Sequence, residues 1–519
     1  MELEIKKGTF RGCVPVYSKT LTAEESTDAV VPDSKPDILR IADARCVAEL
    51  SGKELRGGKV YLSGTVKCFV IYAPEGASAP ESLGVSLPFS VAADPGEDCR
   101  GAVIRARVMG ASVLAREQNP RRINLRATVR LGLELWCSRE ISWCEDIANA
   151  GEYSVEMLSE ELRTVAVGGF GEKMLSISES AELGEVRVTG AELMSWELRP
   201  AVNDVKLIPG KAVFKGNLDV RALLKTPSDG SATAQIALSV PFSGVTDCEG
   251  ADPDGEAGIF VRCFDSELSL TEEPGTGRGL LGIKTNLSAE ATSLCAASLS
   301  AVTDAYSTTH RLTPHFTTVP VCSQRRFGEI RADIRDTLNA GVGVRTVFSA
   351  DGTVEDGEIA GGELCVTVRA TVLFEGEDGG LYSVAKNVTA RVPALENEGG
   401  SVVSLRVTGE SYRIVSGDEI EFSATCEAVT EVYQSENKSL LAGAEVSPRE
   451  LRGRAPSLTL CGMLKGETWW ELGKRMSASV DEILSANGLS EGDSPGDKLL
   501  IIPKRAPGRS GDNNEGRIG

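Results

Sequence analysis

Histidine is nearly missing: His310 and His315 are the only two in 519 residues. That count excludes a histidine-based triad or a multi-histidine metal site in each of several domains. Aromatic residues are 5% of the chain, while Gly numbers 55 and Pro 22, a balance that favours turns over thick helical cores. The thirteen cysteines include no C-x-x-C pair. The closest two, Cys137 and Cys144, lie beside Trp136 and Trp143, with no second pair or histidine to complete a zinc set. They read as reduced thiols acting as small core hydrophobes. No run approaches the ~18 apolar residues of a membrane helix. The start, MELEIKKGTFRGC, lacks the apolar core of a secretion signal, so a cytosolic protein without membrane insertion is expected.

Positive charge is also short. Asp plus Glu is 75 against 55 for Lys plus Arg, a net charge of −20. Such a chain is a poor partner for duplex nucleic acid, which demands cations in place of its counterions, and for an anionic membrane surface. Phosphate loops fail on inspection: Gly52 to Lys59 (GKELRGGK) lacks the Gly-Lys-Ser/Thr order, and GTGRGL at Gly275 lacks the third glycine of a dinucleotide loop. DPDG at Asp252 puts its glycine too early for a calcium loop. Arg121-Arg122 and Arg325-Arg326 read as solvated loop charges. No catalytic residue, metal ligand or cofactor is assigned, and a non-enzymatic protein is expected.

What is present is a repeat. Residues 59–72, KVYLSGTVKCFVIY, return at 211–224 and again at 363–376, each time 152 residues on. Even positions are apolar or glycine in every copy: Leu62, Gly64, Val66, Cys68 and Val70 in the first, Phe214, Gly216, Leu218, Val220 and Ala222 in the second. Odd positions carry most of the polar groups, such as Lys215, Asn217, Asp219 and Arg221. Period two predicts a strand with one face in a core and one toward water. Gly57-Gly58, Gly210 and Gly361-Gly362 mark hairpins entering these strands. Leu87-Pro88-Phe89 matches Val240-Pro241-Phe242, and Arg107-Val108 returns as Arg262-Cys263 and Arg406-Val407. Pro36-Asp37-Ile38 has weaker counterparts in Gly184-Glu185-Val186 and Gly328-Glu329-Ile330, read as turns feeding core strands. The expected organisation is mainly β: three sandwich or barrel domains at 1–150, 151–305 and 306–445.

Past Pro456 the pattern changes to strand, helix, helix, strand over 455–504. Trp469, Leu472, Gly473 and Met476 share one helix face. Thr468 with Glu471, and Ser479 with Glu482, have capping-box spacing, and Gly488 stands where a left-handed cap is expected. Trp470 is turned about 100° from Trp469, partly exposed beside Lys465-Gly466-Glu467. The tail, residues 505–519, reads as disordered.

PDILRI and the Leu-Pro-Phe strand resemble the SPOCS domain of sporulation and spore-coat proteins, well in the first unit, fairly in the second and weakly in the third. Residues 455–504 resemble a LysM domain through Gly466-Glu467-Thr468, Asn487-Gly488-Leu489 and Pro495-Gly496-Asp497-Lys498-Leu499, departing from it at Glu467 (usually Asp) and Gly473 (usually Ala). The combination resembles SipL-like spore-coat morphogenetic proteins. The resemblance implies three SPOCS-like β domains and a small α+β LysM domain. It implies a coat-assembly adaptor in the mother-cell cytoplasm, at the forespore or spore-coat surface. Its LysM domain would dock a coat-basement ATPase, with other coat proteins as further partners. The alternative is a groove for the N-acetylglucosamine chains of peptidoglycan. Either role assigns the site to Lys465, Gly466, Glu467, Thr468, Trp470, Asn487, Gly488 and Leu489.

Overall fold

The computed structural model describes residues 3–76, 79–96, 99, 101–226, 233–273, 278–394, 399–449, 458–493, 495–496 and 498–504. Asp497 and the 505–519 tail lie outside them. The described chain is mainly β, with two short α-helices near its C-terminal end.

The first unit holds β1 (Ile5–Val30), β2 (Ile38–Arg56), β3 (Lys59–Pro74), β4 (Glu81–Ala93), β5 (Val103–Asn119) and β6 (Arg122–Ile147). β2, β3 and β4 form one antiparallel sheet, and β1, β6 and β5 form the layer facing it. The second unit holds β7 (Val155–Arg187), β8 (Glu192–Ile208), β9 (Lys211–Lys225), β10 (Thr233–Asp247), β11 (Glu256–Glu272) and β12 (Arg278–Ser307). The third holds β13 (Arg311–Asn339), β14 (Val344–Ala360), β15 (Glu363–Gly376), β16 (Leu381–Pro393), β17 (Gly399–Ser416) and β18 (Glu419–Ser447). Both repeat the pairing of the first, with orders β10-β9-β8 and β7-β12-β11, then β14-β15-β16 and β13-β18-β17. β12 and β18 run past residues 305 and 445 to Ser307 and Ser447.

The alternating segments at 59–72, 211–224 and 363–376 are the central strands β3, β9 and β15. Their even-numbered apolar residues, such as Leu62, Phe214 and Val366, are buried between the two layers of each unit. Gly57-Gly58 and Gly361-Gly362 have positive φ and turn the second strand into the third. Gly184-Glu185-Val186 and Gly328-Glu329-Ile330 fall inside β7 and β13, so they are not equivalents of the Pro36-Asp37-Ile38 turn that enters β2. The acidic-aliphatic pattern alone could not separate a turn from a strand interior.

The odd-numbered face of the central strands is not simply solvated. Ile71, Leu223 and Leu373, one from each unit, are buried together with Met194 and Leu381. This follows from how the units meet. β4 touches β8, β10 touches β14, and β16 touches β2, so fourth strand meets next second strand three times and the third contact closes a ring.

Charge reinforces the closure. Arg45 reaches Asp351 at 2.5 Å, Lys53 reaches Glu290 at 2.6 Å and Glu172 at 3.0 Å, and Arg199 reaches Glu410 at 2.6 Å. Arg199 also donates to the carbonyl oxygens of Val407 and Gly352. A buried charge is tolerable only when paired and hydrogen-bonded, which these are.

The six long strands extend beyond the ring as three two-stranded ribbons. Trp143, Leu162, Leu299, Val321 and Leu440 pack into one core drawn from all three ribbons. Gly8 leaves room for the Trp143 ring, which a Cβ would strike at 2.7 Å.

Candidate functional site

The C-terminal module has its own core. β19 (Leu458–Gly462) pairs with β20 (Leu499–Pro503), and between them come α1 (Trp469–Met476) and α2 (Val480–Asn487). Trp469, Leu472, Ile483, Leu484, Leu500 and Ile502 are buried against one another. Thr468 caps α1: its hydroxyl accepts from the Glu471 N–H at 3.2 Å, and the Glu471 carboxylate accepts from the Thr468 N–H at 2.8 Å. The second expected capping box does not form, because the Ser479 side chain makes no cap hydrogen bond. Gly488 ends α2 at φ 64°, in the left-handed region that glycine enters without a Cβ penalty.

Of the eight sequence-derived site residues, several serve the module itself. Glu467 accepts from Arg475 Nε at 2.6 Å and from the Leu464 N–H at 2.8 Å, closing the loop before α1. The bond from Arg475 holds its carboxyl below the usual glutamate range. Asn487 brackets α2 to β20: its amide donates to the Ile483 and Ile501 carbonyls at 2.7 and 2.8 Å and accepts from the Ile501 N–H at 2.8 Å. Leu489 packs against the core. Lys465, Gly466, Thr468 and Gly488 are exposed, and Gly466 has φ 82°.

Trp470 is half-buried, yet it is not a free anchor beside Lys465-Gly466-Glu467. Its Nε1 donates to Asp304 Oδ2 at 2.8 Å, and its ring centroid lies 4.8 Å from that of Tyr306, in an edge-on arrangement. Lys474, one turn on, lies 2.6 Å from the same carboxylate. Sequence reasoning missed Asp304, Tyr306 and Lys474, since the partners are 166 positions apart for Trp470 and 170 for Lys474. One signal was visible: Gly473, a glycine in the interior of an expected helix face. A Cβ at Gly473 would run into the Tyr306 hydroxyl.

A second feature lies inside the ring. A chamber of about 240 Å³ is lined by the fifth strands β5, β11 and β17, carrying Arg107, Arg262 and Arg406. Each of these arginines is committed to a carboxylate: Glu134 at 2.9 Å for Arg107, Glu172 at 3.3 Å for Arg262, and Glu427 at 2.7 Å for Arg406. Arg107 also donates to the Val402 carbonyl of the third unit. Arg262 donates likewise to the Leu50 carbonyl of the first unit. Arg406 lies 3.8 Å from Asp219 of the second unit, so the trio is a joint between units.

Two of the expected solvated charges are also structural. Arg121 donates to Asp37 at 2.7 Å and to the Lys35 and Val31 carbonyls, clamping the loop before β2. Arg325 is in β13 with 11% side-chain exposure, 3.6 Å from Glu431 and over the rings of Trp136 and Tyr433.

All thirteen cysteines are free. Among the described residues, no group of three or more His, Cys, Asp and Glu is placed to hold a metal ion. No described helix is long and apolar enough to cross a membrane. Comparison with protein-family models, curated proteins and solved structures finds no match.

Proposed function

We propose that this chain is a non-enzymatic assembly adaptor of the spore coat, in which the three-unit ring is a rigid platform and the C-terminal module docks the coat-basement ATPase. One observation supports the reading most: the module is a separate small core joined to the platform by a contact of side chains rather than by a shared sheet. A head built this way can be presented to a partner without disturbing the body that carries it. Trp470 and Lys474 supply the chemistry, an aromatic ring with one N–H donor and a cation one turn apart. Aromatic anchors of this type are enriched at the energetic centres of protein interfaces.

The test is a pull-down from sporulating cells with the full chain and with a chain lacking residues 455–504. The ATPase should be recovered by the full chain only. Equal recovery by both forms, or recovery of peptidoglycan in place of the ATPase, would overturn the reading.

A further inference from the structure

Among the described residues, the module meets the end of the β7–β12 ribbon at Asp304 and Tyr306. Asp304 and Tyr306 stand two residues apart on β12, so both project from one face of the strand. Asp304 uses both oxygens: Oδ2 takes the Trp470 indole N–H at 2.8 Å, and Lys474 Nζ lies 2.7 Å from Oδ1. Tyr306 is 6% exposed, packs edge-on against Trp470 and donates its hydroxyl to the Ala478 carbonyl at 2.9 Å.

Gly473 is fitted to the same patch, because the Tyr306 hydroxyl occupies the space its Cβ would need. Glycine inside a helix is less favourable than alanine. Gly473 thus makes room for the Tyr306 hydroxyl from outside the module, and for the Ala478 carbonyl and Val480, each 3.0 Å from a Cβ, within it. Arg475, the neighbouring cation, is committed to Glu467 within the module, which leaves Lys474 as the cation of this face.

We infer that the Trp470–Lys474 face is the module's partner-docking surface and that Asp304 and Tyr306 hold it closed in the resting chain. The partner it fits is a protein strand bearing a carboxylate and an aromatic hydroxyl two residues apart, which takes their place. This rests on the docking role proposed above. Because the closing contact is intramolecular, it acts at a high effective concentration, and the partner's apparent affinity is reduced by the fraction of chains that are open.

The experiment uses the purified full chain as wild type, Asp304→Ala, Tyr306→Phe and Trp470→Ala. Each is measured by hydrogen exchange alone and for binding to the immobilised coat-basement ATPase. Asp304→Ala should exchange faster over residues 469–476 and bind roughly tenfold tighter, as a chain no longer about nine-tenths closed. Tyr306→Phe should move both readouts the same way by less. Trp470→Ala should exchange faster but lose binding. Unchanged exchange in Asp304→Ala and Tyr306→Phe overturns the latch. Faster exchange with wild-type affinity overturns the gating of the surface. Faster exchange with no binding by any form overturns the ATPase as partner and supports the latch.

Discussion

Gly64 and Gly216 sit mid-strand in β3 and β9, where a glycine weakens a sheet unless something must come close. Here Phe89 and Phe242 do, on the neighbouring strands in direct register with them. A Cβ on Gly64 would lie 2.6 Å from the Phe89 ring and would also meet the Glu49 carbonyl. In the third unit the pair is Val368 with Val388, so the volume carried by one phenylalanine is divided between two β-branched residues. Gly64→Ala should cost about 1–3 kcal/mol by overpacking, read as a lower denaturant midpoint. The cysteines offer a second residue-level check. Burial pushes the Cys68 and Cys426 thiols up to about 12, with Glu427 adding to the effect at Cys426. Since the thiolate is the reactive form, both should resist alkylation at pH 8 in the native protein and react once it is denatured. Rapid labelling of either in the native chain would refute this.

Helix α1 owes its start to Thr468 rather than to length, since eight residues are too few to be stable alone. Thr468→Ala should cost about 1 kcal/mol, seen as faster amide exchange over 469–476, with the β units unchanged. The elements that could be read from sequence are those with local signals. β3, β9 and β15 announce themselves by period two, and α1 by its capping box. Ser479 shows the limit of such signals, since capping spacing is present but the side-chain bond is absent. The outer surfaces of the central sheets were harder to read. Alternation tells a core face from another face, but not whether that other face meets water or a neighbouring unit. Ile71 and Leu223 sit at odd positions and are buried by neighbours far away in sequence. Arg325 misled for the same reason, because its partners Glu431, Trp136 and Tyr433 come from other strands. At the module, Gly473 could be noticed from sequence but not explained, because Tyr306 comes from the second unit.

The ring as a whole is held by carboxylates that burial penalises and arginines or lysine rescue. Burial raises Asp351, Glu134 and Glu172, but Arg45, Arg107 and Lys53 respectively lead the opposing attraction, and all three end below their ordinary values of 3.8, 4.5 and 4.5. Folded chains therefore bind fewer protons than unfolded ones in this range. The stability these groups contribute is complete above the ordinary carboxylate values and is lost as pH falls through the lower folded ones. Melting temperature should hold from pH 7 to about 5 and drop steeply below about 4. A flat profile down to pH 3 would contradict the network.

The same closure has a consequence for shortened chains. Each unit meets the next through unlike surfaces, fourth strand to second strand, and the third contact returns to the start. Unlike surfaces either close on themselves or propagate without end. A chain cut after residue 308 keeps the outgoing β10 surface and the incoming β2 surface but loses the unit that satisfies both. It is a bifunctional monomer. Light scattering on that two-unit fragment should show growth into oligomers with rising concentration, where the intact chain stays at constant mass.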